Sequence, residues 1–174
     1  MNKKTIELIM AIFLIVYSII VILSPLSVIT DPKTTIIIMC IVYGVLSLVK
    51  NYFTYKQKDY EGLYAALACL FTIIVALFLN TKESVFNLVI IILTWISLLS
   101  FIKLKKSDYY HDNHNKYWKL KLVTLLLFVI SGLLSSVYLY KEDFQIVVLG
   151  FFFYIHGILE LIEPMILFIL NKNK

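Results

Sequence analysis

Apolar residues come in six long runs separated by polar gaps. The runs are Ile6–Leu26, Pro32–Val49, Leu63–Leu79, Val85–Ile102, Leu122–Tyr140 and Phe144–Ile162. Roughly 20 helical residues cross about 30 Å of hydrocarbon, and each run is near that length. None alternates with a period of two, which argues against barrel strands. Lipid offers a backbone no hydrogen bonds, so the runs are expected as helices. The pattern predicts an all-α polytopic membrane protein with six transmembrane helices.

The gaps alternate in length. "SVITD", "NTKES" and "KED" are short, whereas the linkers at about 50–62 and 103–121 are longer. The expected architecture is one membrane domain, 1–174, of three tandem helical hairpins at about 5–50, 62–103 and 120–163. Asp31 and Pro32 suit the N-cap and first turn of the second helix, and Pro25 ends the first.

Lysine placement sets orientation. Of 16 lysines, 13 fall at the termini and in the two long linkers, and 3 (Lys33, Lys82, Lys141) fall in the short gaps. Positive residues stay inside, so both termini are expected in the cytoplasm of a plasma or inner membrane. Those lysines would also meet anionic lipid at the inner surface.

Three heptapeptides in the even-numbered helices align without gaps: "GVLSLVK" from Gly44, "SLLSFIK" from Ser97 and "GILELIE" from Gly157. Small residues let helices approach closely in lipid. Gly44, Ser97 and Gly157 are therefore expected to be equivalent packing points, and Gly132 in "SGLLSS" another.

The last run carries "YIHGILELIEP", with His156, Glu160 and Glu163 among Ile, Leu and Phe. Their i, i+4, i+7 spacing places them within about 60° on one helix face. Ionisable residues within a membrane are costly and often functional, and histidine titrates near neutral pH. They form the candidate polar site. The plainer reading makes Glu163 a boundary residue and Glu160 a snorkelling one. It leaves His156 about 10 Å inside, neutral and hydrogen-bonded to a neighbouring helix. Toward the outside that face continues as Phe152, Leu149 and Gln145, which supplies no proton path. The sixth helix is expected to end near Ile162. A helix running through Pro164 to Leu170 is the alternative.

Other polar residues are placed as follows. His111 and His114 are spaced i, i+3 with Asp108 and Asp112 nearby, a set that could bind zinc. Beside Tyr109, Tyr110, Tyr117 and Trp118, they read more simply as an aromatic belt at the headgroups. Glu7 is expected to reach the cytoplasmic interface. Cys40 and Cys69 fall inside apolar runs and behave as small hydrophobes.

Composition agrees with a bilayer as solvent. The chain has 174 residues, 61% hydrophobic, with a mean hydropathy of +0.90 and a net charge of +5. The basic charge lies in gaps rather than on one face, so nucleic acid is not an expected partner. A cleaved signal peptide is not expected, because no small-residue cleavage site follows the first run. All basic residues are lysine, which disfavours bidentate phosphate capture. No phosphate-binding glycine loop, HExxH or GxSxG is present. No cofactor or metal and no enzyme activity are expected. The partners are the bilayer and a second copy or another membrane protein.

Three hairpins and cytoplasmic termini in a chain this short resemble the HdeD-like acid-resistance membrane protein family. Gly44, Ser97 and Gly157 carry the likeness, with Pro25 and Gly132, over residues 5–163. The resemblance implies a non-enzymatic membrane protein acting in acid or envelope stress, and it transfers no catalytic residue. The alternatives are a small transporter or channel subunit with its polar site near His156 and Glu160, and a lipid enzyme built on the His111–His114 region.

Overall fold

The computed structural model describes residues 3–23, 31–55, 59–81, 84–114, 117–141 and 144–172; Pro25 and the Glu163 side chain lie outside the described parts. Six helices follow one another: α1 (Lys3–Leu23), α2 (Pro32–Thr54), α3 (Glu61–Phe78), α4 (Val85–Asp112), α5 (Trp118–Tyr138) and α6 (Gln145–Lys172). Each is long and apolar enough to cross a membrane, and no strand occurs among the described residues. The protein is a multi-pass membrane protein, with six such helices among the described residues.

Local chemistry starts the helices where expected. Asp31 caps α2, its Oδ2 accepting from the Thr34 amide at 3.1 Å, with Pro32 in the first turn. Ser84 caps α4 by accepting from the Phe86 amide at 3.2 Å. The far ends differ from expectation. α4 runs past Ile102 to Asp112, because no Gly or Pro interrupts "KLKKSDYYHD". α6 does not end near Ile162 but continues through Pro164 to Lys172. Proline removes one rung of the hydrogen-bond ladder there without ending the helix.

The helices form a closed ring, each packed on its chain neighbours, with α6 returning to α1. The most extensive interfaces are α1 with α6, α2 with α3 and α4 with α5; the pairs joined by short gaps share less. Glycines stand at the extensive interfaces. Gly44 of α2 faces Cys69 of α3, Gly132 of α5 faces Ile96 of α4, and Gly157 of α6 faces Ile15 and Leu14 of α1. Ser97 does not join them: it is exposed, and the buried neighbour Ile96 takes its place. The aligned heptapeptides were one residue out of register in α4.

In the corrected register, α2, α4 and α6 bury matching positions. Ile36, Met39, Cys40 and Tyr43 in α2 correspond to Leu88, Ile91, Ile92 and Trp95 in α4. In α6 they correspond to Leu149, Phe152, Phe153 and His156. Tyr43, Trp95 and His156 then meet, with ring centroids 6.1, 5.3 and 5.7 Å apart in pairs.

The closest backbone approach is at Gly62. A Cβ there would lie 2.4 Å from the Ser47 carbonyl oxygen and 2.8 Å from the Asn51 amide nitrogen. Neither atom can move without its helix. At Gly44 the nearest atom is the Cys69 Cβ at 3.3 Å, which needs only a small adjustment. Gly62→Ala is expected to destabilise by about 3 kcal/mol and Gly44→Ala by less than about 1 kcal/mol. Thermal unfolding of both variants in detergent checks the ranking, and equal midpoints would refute it.

Candidate functional site: a buried ionic layer beneath an aromatic centre

Each helix brings an ionisable side chain to the same end of the ring. α1 supplies Glu7, α2 Lys50, α3 Glu61, α4 Lys103 and Lys106, α5 Lys121, and α6 Glu160 with His156. Lys50 Nζ donates to Glu61 Oε2 at 2.8 Å and lies 3.1 Å from Glu7 Oε1. Glu61 also accepts from Lys106, so this carboxylate binds two ammonium groups from two helices. Lys103 Nζ donates to Glu160 Oε1 at 2.5 Å. Lys121 is buried at the start of α5, within electrostatic reach of Glu61 and Glu160. Buried charges need partners, and these pairs supply them.

His156 lies one turn deeper and is fully buried. Its Nε2 is 3.3 Å from Glu160 Oε1, without hydrogen-bond alignment, and neither ring nitrogen has a hydrogen-bond partner among the described residues. The expected bond to a neighbouring helix is not formed. Aromatic rings take its place: Phe128 at 4.7 Å, Trp95 at 5.3 Å and Tyr43 at 5.7 Å between centroids. Lys103 Nζ in turn sits over the Phe128 ring at 5.7 Å. Tyr43, Ser47, Lys50, Glu61, Lys103 and Glu160 border a small cavity of about 20 Å³. That is room for one water molecule. The Ser47 hydroxyl on its wall has no hydrogen-bond partner among the described residues.

The core is otherwise apolar toward the far end of the ring. Leu149, Phe152 and Phe153 are fully buried beyond His156, as are Ile91 and Ile92 in α4. No charged side chain is buried on that side among the described residues. The ends there are tied by neutral or capping bonds. The Tyr17 hydroxyl donates to the Thr35 carbonyl at 2.7 Å, and Lys33 Nζ donates to the Leu79 carbonyl at 2.9 Å.

Of the residues singled out in the sequence, His156 and Glu160 come together, while the Glu163 side chain falls outside the described residues. His111 and Asp112 are exposed, with 3.7 Å between Nδ1 and Oδ1, and the His111 ring packs edge-on against Trp118 at 4.9 Å. Among the described residues no three His, Cys, Asp or Glu side chains gather into a metal-binding group. The sequence reading missed the ionic layer itself. It treated Lys50, Lys103 and Lys106 as topology markers and Glu7 as an interface residue. A signal was present: Glu7, Glu61 and Glu160 are carboxylates in or at the edge of apolar runs, on the lysine-rich side.

Comparison with known proteins returns no matching family, no matching curated protein and no matching solved structure.

Proposed function

We propose that this chain is a non-enzymatic integral membrane protein, similar to HdeD-like proteins, that serves acid or envelope stress in the plasma or inner membrane. In this reading the ring is three tandem hairpins with both termini cytoplasmic. The lysine asymmetry supports that orientation, and it puts the ionic layer on the cytoplasmic side. One observation carries the reading: five helices are joined at one end by largely buried carboxylate–lysine pairs, Lys121 of α5 lies within their electrostatic reach, and His156 sits one turn deeper beside Glu160. Acid acts on such an assembly directly. A proton on His156, whose Nε2 lies 3.3 Å from Glu160 Oε1, competes with Lys103 for that carboxylate. This competition alters how α4 and α6 are tied, which makes the layer a two-state element that pH can bias.

The test is survival. Cells that depend on this protein during an acid challenge should lose protection with Glu160→Gln at unchanged membrane abundance. Full protection by that variant would remove the proposal.

A second reading, a small transporter or channel subunit, draws on the small cavity beside Glu160 and the bare nitrogens of His156. It needs a route past Phe152, Phe153 and Leu149. Proton or solute flux in proteoliposomes that disappears with His156→Ala, while folding persists, would favour it over the first.

A further inference from the structure

A cleft of about 720 Å³ opens between the start of α3 and the end of α4, outside the ionic layer. That volume falls in the roughly 300–1,000 Å³ range of ligand sites. Its inner wall includes Lys106, whose charge Glu61 already neutralises. Lys105 stands beside it, exposed, in no ion pair among the described residues, with its Nζ over the Phe101 ring at 5.8 Å. Tyr60, Tyr64, Tyr109 and Tyr110 complete the aromatic lining, and Asp59, whose Oδ1 accepts from the Glu61 amide at 3.2 Å, stands on the α3 side. Phe101 and Tyr64 are more than half exposed and form an apolar lip.

The level of the cleft is set by the helices. α4 passes the start of α3 at the Lys106–Glu61 contact and continues to Asp112. At 1.5 Å per residue this wall stands about 9 Å above the start of α3. The headgroup layer on each side of a bilayer is roughly 5–8 Å thick. The cleft therefore spans the headgroup layer, with its lip at the edge of the hydrocarbon. Aromatic rings with one polar end suit that depth.

We propose that this cleft is a binding site for one phospholipid. The phosphate would sit on Lys105, the glycerol region among the tyrosine rings, and an acyl chain along Phe101 and Tyr64. A free phosphate would use the lysine but leave the apolar lip unoccupied. A neutral diacylglycerol would use the lip but not the charge. This inference goes beyond the stress role and holds for either orientation of the chain, which decides only the leaflet.

The experiment is native mass spectrometry of the purified full chain, given phosphatidylglycerol, diacylglycerol with the same acyl chains, or glycerol phosphate. Phosphatidylglycerol should be retained about tenfold more tightly than either fragment. Lys105→Gln should lower its retention about tenfold. Lys119→Gln removes the same charge from an exposed lysine at the start of α5, at the same end of the ring, and should leave retention unchanged. Equal losses from the two variants would reduce the effect to general surface charge and overturn the site. So would glycerol phosphate or diacylglycerol binding as tightly as the phospholipid.

Discussion

Glu61→Gln should be among the most destabilising single substitutions in this protein, costing about 3 kcal/mol. The carboxylate holds Lys50 of α2 and Lys106 of α4, and all three side chains are less than one-fifth exposed. A charge left behind in such a place has neither water nor counterion, and that penalty exceeds the value of the pair itself. Lys50 keeps Glu7, so the stranded charge is Lys106. The glutamine oxygen can still accept one hydrogen bond, which keeps the estimate at the low end of the range. Adding Lys106→Met should restore part of the loss, because the pair is then removed together. Reversible unfolding in mixed micelles measures both variants. A Glu61→Gln midpoint equal to that of the unchanged chain would show the layer to be solvated and structurally idle.

The same layer explains which features the sequence displayed and which it hid. Six runs of apolar residues identify six helices because hydrocarbon thickness dictates their length, and that constraint acts on each run separately. The cap at Asp31 is local for the same reason. Helix ends beyond the bilayer have no such ruler. α4 overshoots Ile102 along a polar stretch that no apolar run announces, whereas α6 passes Pro164 into the apolar run Met165–Leu170, because one proline removes a hydrogen bond without ending a helix. Register between helices is also weakly encoded, since one apolar residue aligns with another as readily as with the correct one. That is how Ser97 was matched to Gly44 when Ile96 occupies the equivalent place. The ionic layer was hidden by distance along the chain. Lys106 and Glu61 are brought together only when the ring places α3 beside α4, and Lys103 meets Glu160 across a still longer stretch. His156 and Glu160 were legible as a pair because one helix spaces them four residues apart.

His156→Phe should separate the cost of this histidine from its use. Among the described residues both ring nitrogens are buried without hydrogen-bond partners, a situation that costs a protein about 1–3 kcal/mol. Phenylalanine fits the aromatic surroundings of Phe128, Trp95 and Tyr43 and carries no polar atom to leave unsatisfied. Glu160 keeps its bond to Lys103 in the variant. The expected outcome is a fold stabilised by about 1–2 kcal/mol, together with loss of protection in the acid-survival assay. A stabilised but inactive variant would mean that the histidine is retained at the expense of stability, which is the mark of a working residue. A destabilised variant with full activity would mean the reverse. His156 would then be a structural group holding Glu160 in place, and the acid-responsive element would have to lie among the carboxylates of the layer.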